Sequence, residues 1–167
     1  RLAGMTTTVD GRRYGLRRHL AVAPWFAGVE VHFGEGAEAY ATSVGTDEVN
    51  IAFLWERRRG APASFETLLE RFPRLRERCK GALPRSSARG CGPLLHRVPS
   101  PIRGRVALLG DAAGYVDAIT GEGVSLALVS ALSLGACLPE ATVRGQAGLE
   151  PYRREYARLF AHYAQAA

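Results

Sequence analysis

The chain has 167 residues, of which 47% are hydrophobic and 23% are charged, with a formal net charge of +6, and this composition predicts one soluble domain or part of one. No run approaches the roughly 20 apolar residues of a membrane span, and the first residues lack the apolar centre of a secretory signal, so a cytoplasmic protein is expected. The arginines are spread along the chain without a basic and aromatic module, which argues against nucleic-acid binding, and three cysteines without CxxC spacing argue against disulfides and a metal site.

Four candidate strands near the start of the chain predict an antiparallel meander. They cover residues 14–23, 29–33, 38–44 and 49–55, with glycine-containing turns between the last three. Val29, Val31 and Phe33 alternate with polar residues, which puts the three apolar side chains on one face of a strand. Such a sheet has one packed face and one face that can line a pocket.

Two short helices and a connection are predicted to follow the sheet. Ser64 is a predicted N-cap for a helix with apolar residues at helical spacing, and Pro73 predicts the start of a second helix. Residues 82–101 are rich in proline, glycine and serine, which is typical of a connection. We expect this segment to lead from the sheet to a second structural region.

The last part of the chain is predicted to hold two longer helices. Residues 124–138 carry apolar side chains without a proline until Pro139, which predicts a mostly buried helix. Residues 139–148 are then expected to form a linker. Residues 149–167 repeat apolar and tyrosine side chains every three or four positions, which predicts an amphipathic helix.

A cofactor site is predicted just before the first of these helices. Residues 106–109 form an unbroken apolar run, typical of a strand buried on both faces, and Asp111 follows at its carboxyl end. Ligands of α/β proteins collect there, and an acidic residue can accept hydrogen bonds from sugar hydroxyls. The helix then opens with Gly-Glu-Gly, so its unpaired N–H groups and its dipole face whatever lies in front of it. The alternative interpretation is a plain strand, turn and helix with a capping aspartate.

The sequence GDAAGYVDAITGEGVSLAL resembles the second flavin motif of the para-hydroxybenzoate hydroxylase-like flavoproteins. That superfamily includes class A monooxygenases, geranylgeranyl reductases and flavin-dependent halogenases. The resemblance implies FAD as cofactor, with Asp111 on its ribityl chain and with Thr120 and Gly121 in a loop beside the ring. It also implies main-chain donors at the pyrimidine edge of the ring, and these belong to Gly123, Val124 and Ser125.

The resemblance further implies an α+β chain that forms part of an FAD/NAD(P)-binding α/β fold. Residues 1–101 would be the antiparallel substrate-binding sheet with short helices and a crossover. Residues 102–148 would be the last strand and helix of the FAD-binding domain, and residues 149–167 a C-terminal helix. No catalytic residue can be named. Side chains of the sheet that could face a substrate are Arg17, His19, His32, Tyr40 and Trp55.

A second interpretation of these five side chains stays open. The two histidines would then lie on a solvated face, and Tyr40 and Trp55 would pack in the core. For a single aromatic or histidine side chain in a sheet, this structural role is the commoner one.

The nucleotide motif GxGxxG, which holds the ADP half of FAD, occurs nowhere in the chain. We therefore expect the chain to be the carboxyl-side portion of a longer enzyme, or a chain whose amino-terminal half is separate. The resemblance implies an NAD(P)H-dependent flavoprotein monooxygenase that acts on a small organic or secondary-metabolite substrate. The alternatives are a geranylgeranyl reductase-like double-bond reductase and a flavin-dependent halogenase, for which Lys80 is a poor candidate lysine. An alternative of another class is a non-catalytic binding module that has lost the cofactor.

Overall fold

The computed structural model describes residues 5, 7–8, 12–56, 63–115 and 121–166. The strands found among these residues are β1 (Thr7–Thr8), β2 (Arg13–Ala21), β3 (Val29–Gly34), β4 (Ala37–Ser43), β5 (Glu48–Glu56), β6 (Leu83–Pro84), β7 (Arg89–Cys91), β8 (His96–Arg97), β9 (Ile102–Arg103), β10 (Val106–Ala107) and β11 (Gly114–Tyr115). The α-helices found among them are α1 (Phe65–Leu69), α2 (Pro73–Arg78), α3 (Gly123–Arg144) and α4 (Glu150–Ala166). The chain divides into two compact units, residues 12–93 and residues 94–167 together with residues 1–11.

The first unit is an antiparallel sheet, as predicted. Strands β3, β4, β5 and β2 lie side by side in that order, and β6 and β7 pair with the other edge of β2. Strands β2 and β5 pair from Arg13 opposite Glu56 to Ala21 opposite Glu48. The predicted meander is confirmed, with small shifts at the strand ends, and so is the predicted fold class of an antiparallel sheet followed by helices.

The two short helices cover one face of this sheet, which we call the helix-covered face. Its core combines the alanines of β4 and the large apolar residues of β5 with apolar side chains of α1 and α2. The helix residues in this core are Phe65, Leu68, Phe72 and Leu75. Because side chains alternate along a strand, the remaining residues project from the opposite face, which we call the second face. The core that joins helices to sheet draws only on strand residues of the helix-covered face.

Both predicted helix starts are confirmed. The Ser64 hydroxyl accepts a hydrogen bond from the Thr67 N–H at 3.1 Å, and the Thr67 hydroxyl oxygen accepts one from the Ser64 N–H at 2.9 Å. This reciprocal pair is a capping box, which satisfies two N–H groups that a helix leaves unpaired. Pro73 is the first residue of α2.

The segment 82–101 is more than the predicted connection. It contributes β6 and β7, which pair with successive parts of β2, before the chain enters the other unit. The outer edge of β2 carries N–H and C=O groups that need partners, and an extended segment passing along that edge supplies them. Composition rich in proline and glycine therefore did not prevent short strands here.

The second unit contains two small antiparallel sheets and two long helices. Strand β8 lies between β1 and β11, and β9 pairs with β10. Helices α3 and α4 are joined by the 3-10 turn Gly145–Leu149. The amphipathic helix predicted over residues 149–167 is confirmed as α4. The buried side chains that join these elements are Ile102, Cys137, Leu149 and Tyr152.

The prediction of a buried strand over residues 106–109 is wrong, because the observed strand is shorter and more exposed. Strand β10 has two residues, pairs with β9 in antiparallel fashion, and leaves Val106 and Leu109 exposed. A strand buried on both faces needs neighbouring strands on each side and covering layers. In the described part of this unit only β9 pairs with β10.

Helix α3 is longer than predicted and less buried. It continues through Pro139, so the linker predicted over residues 139–148 is wrong, and helix followed by the 3-10 turn stands there instead. A proline removes one main-chain hydrogen bond, and the many good helix formers on both sides outweigh that local cost. Ser130 and Cys137 are the buried residues of α3. Its large apolar side chains are mostly exposed, and Leu132 reaches 76%.

The helical stretch Gly123–Ala161, which runs from α3 through the 3-10 turn into α4, contains a section long and apolar enough to cross a membrane, and 11% of that section is buried. The expectation that no segment reaches this length and apolarity is therefore wrong on these two criteria. Core helices of soluble proteins meet the same criteria, so they do not identify a membrane span by themselves.

Candidate functional site

A short turn between β10 and α3 carries Asp111. The 3-10 turn Gly110–Ala112, which we call the Asp111 turn, starts with Gly110 at a φ of +54°. A Cβ on Gly110 would come within 3.0 Å of the Ala127 Cβ on α3. The turn can therefore lie close against α3 because residue 110 is glycine. The Asp111 side chain itself is exposed.

Two tyrosines of α4 hold the main chain on either side of this turn. Tyr152 donates its phenolic O–H to the carbonyl oxygen of Leu108 at 2.5 Å, and Tyr156 donates its O–H to that of Ala113 at 2.7 Å. The tyrosines lie one helical turn apart, so one face of α4 forms hydrogen bonds with both ends of the segment. This arrangement fixes the position from which the Asp111 carboxylate projects.

Burial of the two phenols keeps them as donors. Loss of hydration raises the pKa of Tyr156 to about 12 and also raises the pKa of Tyr152. Both hydroxyl groups therefore remain protonated across the neutral range and well into alkaline solution.

A histidine holds the main chain of Asp111 itself. His96 lies on β8 with its Nε2 2.6 Å from the carbonyl oxygen of Asp111 and its Nδ1 3.3 Å from that of Leu94. Both neighbours are acceptors, so the Nε2–H donates the shorter contact, to the Asp111 carbonyl. This hydrogen bond orients the Asp111 main chain and leaves its carboxylate available.

Helix α3 begins beside the Asp111 turn with unpaired N–H groups. Glu122 is the N-cap residue and its side chain makes no cap hydrogen bond. The first bond within the helix joins the Leu126 N–H to the Glu122 carbonyl at 2.9 Å. Gly121 has a φ of +67°, with open space where a Cβ would point. The N–H groups that precede the first helical bond, and that are oriented out of the helix end, belong to Gly123, Val124 and Ser125.

A cleft lies between the Asp111 turn, the start of α3 and α4. Asp111, Gly123, Ser130 and Tyr156 are among its lining residues. The FAD that the sequence implies needs an acceptor for ribityl hydroxyls and N–H donors for the electron-rich edge of its ring. An exposed carboxylate and an uncapped helix N-terminus supply both at one cleft, so the residues present fit this cofactor. Their assignment as FAD ligands stays a prediction.

The structure places most of the predicted cofactor residues together. Asp111 and Gly123 line the same cleft, and Val124 and Ser125 follow in the first turn of α3. Gly121 directly precedes the N-cap residue. Thr120 lies outside the described residues.

Three of the predicted substrate residues share the second face of the sheet. The strand register places Arg17 opposite Ala52, and Ala52 opposite Tyr40. His19 lies two residues from Arg17 on the same face, and its Nδ1 is 2.5 Å from Glu48 Oε1. Directly opposed residues in a sheet project to the same side, so these side chains belong to one surface.

Trp55 does not belong to that surface. It lies on the helix-covered face, packs in the core and contacts Tyr14, with ring centroids 5.9 Å apart. This corrects the grouping of Trp55 with the substrate candidates, and its packing role is the one that the alternative interpretation gave it. His32 also projects toward the helix-covered face, with Nε2 3.1 Å from Glu30 Oε1.

Sequence reasoning missed the residues that position the Asp111 turn. His96 gave no signal, because its partner lies on a separate element and the contact is with the main chain. The tyrosines of α4 were recognised only as part of an apolar face. A buried tyrosine hydroxyl needs a partner, so two tyrosines on an apolar helix face could have indicated hydrogen bonds to a neighbouring segment.

Solved structures with a similar fold cover nearly the whole chain. CmlS, a flavin-dependent halogenase, is 18% identical with a TM-score of 0.76, over 98% of this chain and 32% of its own. The myxobacterial chondrochloren halogenase CndH, described as FAD-dependent, is 18% identical with a TM-score of 0.79, over 96% of this chain and 42% of its own. Halogenase PltM, solved in complex with phloroglucinol and FAD, is 16% identical with a TM-score of 0.76, over 92% of this chain and 37% of its own.

The chain has the fold of the FAD-dependent halogenases. The fold that the resemblance implied is therefore confirmed. No protein-family model and no curated protein matches the chain. The chain spans 32% to 42% of the length of these three halogenases. At such identities the halogenase fold is shown, while activity has to be argued from the site.

Proposed function

We propose that the chain is the substrate-sheet and flavin-loop portion of an FAD-dependent oxidoreductase that acts on a small organic or secondary-metabolite molecule. The observation that carries this proposal is the meeting of the exposed Asp111 carboxylate and the uncapped start of α3 at one cleft. The halogenase fold supports the same cofactor, since PltM was solved with FAD and phloroglucinol. The GxGxxG motif of the ADP half would be supplied from outside this chain.

In this proposal the residues bind and orient, while FAD supplies the redox chemistry. Asp111 accepts hydrogen bonds from ribityl hydroxyls, because an ionised carboxylate offers acceptors only. The N–H groups of Gly123, Val124 and Ser125 and the dipole of α3 favour negative charge on the ring edge that faces them. Gly121 lets the main chain approach the ring, and Thr120 is proposed to lie in the same loop.

The reaction that we favour is hydroxylation, with NAD(P)H as the electron donor and O2 as the oxidant. Halogenation is the second candidate, because the solved structures of matching fold include halogenases. It would need a lysine between flavin and substrate. Lys80, the single lysine of the chain, is exposed just after α2 and pairs with Glu77 at 3.3 Å, so this chain offers no suitable one.

Flavin occupancy of the full-length protein tests the cofactor site. We expect Asp111→Ala to lower the FAD absorbance of the purified protein severalfold, because the ribityl hydroxyls lose a charged acceptor. Asp47→Ala is the matched control, since Asp47 is also an exposed carboxylate but lies in a turn of the sheet unit. An unchanged yellow colour in Asp111→Ala would overturn the site.

The reaction class is tested on the full-length holoenzyme with NADPH, O2 and phloroglucinol as a test phenol, with and without halide. A product with one added oxygen supports hydroxylation, whereas halogen in place of hydrogen supports the second candidate. Reduction of a prenyl double bond without O2 would favour the reductase alternative instead. If the full-length protein neither binds FAD nor oxidises NADPH, the binding-module alternative is favoured.

A further inference from the structure

Two arginines stand directly opposite each other on the second face of the sheet. Strands β2 and β7 are antiparallel neighbours, and their register pairs Arg17 with Arg89. Directly opposed residues project from the same face with Cβ atoms about 5 Å apart. Like charges in such a pair repel and destabilise the sheet unless an anion lies between or beside them.

No carboxylate of the described residues compensates this pair. Both arginines are exposed, and neither side chain forms an ion pair or hydrogen bond within the described part of the chain. Two carboxylates of the second face are already engaged, Glu38 with Arg13 at 2.8 Å and Glu48 with His19 at 2.5 Å. A third, Glu56, lies opposite Arg13, four residues along β2 from Arg17, and forms no ion pair with either arginine of the pair within the described part of the chain. The cationic charge of Arg17 and Arg89 is therefore available to an anion from outside.

A straight row across the sheet leads from these arginines to the opposite edge. Arg17 is opposite Ala52, Ala52 is opposite Tyr40, and Tyr40 is opposite Val31 on the edge strand β3. With strands about 4.8 Å apart, Val31 lies about 14 Å from Arg17. Ala52 has a small side chain, which leaves space above the sheet at the middle of this row.

The far end of the row is apolar. Val29, Val31 and Phe33 project from the second face of β3 and are 59%, 40% and 74% exposed. Edge strands usually avoid such a stripe or cover it, because it promotes association. The second face is thus cationic at the β7 edge and apolar at the β3 edge.

We propose that Arg17 and Arg89 clamp the oxyanion of an amphipathic substrate whose apolar body lies over Ala52 and Tyr40 toward Val31. This inference rests on the proposed function, since it names the substrate class of the same enzyme. Two guanidinium groups present planar sets of N–H donors that match a carboxylate or a phosphate ester, and the bound charge relieves their mutual repulsion. The exposed apolar residues of β3 favour a ligand with an apolar body, which a small inorganic anion lacks.

Binding of decanoate to the full-length protein, by calorimetry below the micelle concentration, tests the clamp. Decyl phosphate is the second oxyanion probe, and 1-decanol is the neutral chain of equal length. We expect at least one oxyanion probe to bind about tenfold or more tightly than 1-decanol, and the tighter of the two identifies the anionic group. Equal binding of 1-decanol would overturn the proposal.

Variants separate the clamp from general charge and from folding. We expect Arg17→Gln and Arg89→Gln each to weaken the preferred probe about tenfold, while Arg74→Gln, which removes an exposed arginine of α2, leaves it unchanged. Arg89→Gln changes the clamp on the edge strand β7 without altering β2, so a folding defect in one variant leaves the other informative. Unchanged affinity in a folded Arg17→Gln or Arg89→Gln chain contradicts the clamp.

The apolar end has its own test. Phe33→Ser should weaken decanoate more than butyrate, because only the longer chain can reach β3, and equal effects would refute the proposed path of the apolar body. These binding measurements need no FAD. If Asp111→Ala shows that the flavin site is wrong, the binding results for Arg17 and Arg89 are unaffected. If the arginine variants bind the probes normally, the FAD absorbance of the full-length protein is unaffected.

Discussion

The Asp111 oxygen Oδ1 lies 3.8 Å from the point that a Cβ on Gly123 would occupy. A carboxylate so close to a helix N-terminus is well placed to cap it, and the dipole of α3 favours its negative charge. The N-cap residue Glu122 makes no side-chain cap bond, and among the described residues no hydrogen bond joins Asp111 to the start of α3. Acceptor and donors stand side by side with neither satisfying the other, which is the arrangement that a ligand with both hydroxyls and an electron-rich edge requires.

Tyr156→Phe should destabilise the Asp111 turn. The phenolic O–H that reaches the Ala113 carbonyl is half-buried, and its loss leaves that acceptor without this partner. We expect a loss of about 1 kcal/mol in the free energy of unfolding. Urea denaturation monitored by circular dichroism measures this loss. If Tyr156→Phe and the wild type unfold at the same urea concentration, the hydrogen bond does not hold the turn.

Gly148→Ala and Gly135→Ala should change stability in opposite directions. A Cβ on Gly148 would lie 2.5 Å from the main-chain nitrogen of Ala141, and main chain cannot move aside cheaply. We expect a destabilisation of about 1–3 kcal/mol there. Gly135 lies in α3 with no atom within 4 Å of its Cβ position, so alanine should stabilise the helix by about 1 kcal/mol. Thermal unfolding midpoints that shift in the same direction would contradict this comparison.

Local sequence rules predicted the sheet unit well, and the reason is physical. The alternation of apolar and polar residues in β3, the turns on either side of β4 and the Ser64 cap each depend only on residues nearby in the sequence. The prediction that Ser64 caps α1 was confirmed, and the structure adds the reciprocal bond from the Thr67 side chain.

Features set by distant parts of the chain could not be predicted in the same way. The pairing of β6 and β7 with β2, and the His96 contact with the Asp111 carbonyl, arise only when the fold brings separate segments together. The apolar residues of α3 were interpreted as buried because apolarity predicts burial only where a partner surface exists. Pro139 was interpreted as a helix end because a local rule weighs one residue, whereas the helix is stabilised along its length.

Ser64→Ala should weaken the start of α1. The alanine removes the hydroxyl acceptor of the Thr67 N–H, and we expect a cost of about 1 kcal/mol. Ser87→Ala is a suitable control because Ser87 is exposed and outside any helix or strand. Chemical denaturation of both variants provides the measurement. Equal stability of the two would mean that the capping box contributes nothing.

The buried thiol of Cys79 should make stability fall in alkaline solution. Desolvation raises the pKa of Cys79 from its ordinary value of 9.0 to about 11, so the folded chain retains a proton that the unfolded chain releases. This contribution is fully present below about pH 9 and is lost as the pH rises toward 11. At pH 8, a thiol reagent should modify the exposed Cys91 rapidly and Cys79 only on unfolding. Rapid reaction of Cys79 in the folded chain would refute its burial.

The exposed apolar side chains of α3 should promote self-association of the chain when it is studied alone. Leu132 and Val143 are 76% and 83% exposed. We expect the double variant Leu132→Gln and Val143→Gln to remain monomeric at concentrations where the wild type associates, with little change in unfolding midpoint. Sedimentation velocity across a concentration series decides this. Identical sedimentation of the two chains would mean that this face does not drive association.

Strand β2 serves two purposes on alternate residues. Tyr14, Leu16 and Leu20 pack with the core, while Arg17 and His19 project from the second face. In the proposed clamp, substitutions at alternate positions of β2 change what the second face recognises, while the neighbouring positions preserve folding. Tolerance to substitution along β2 should rise and fall with a period of two, and relatives that prefer different small molecules would diverge first at Arg17 and His19.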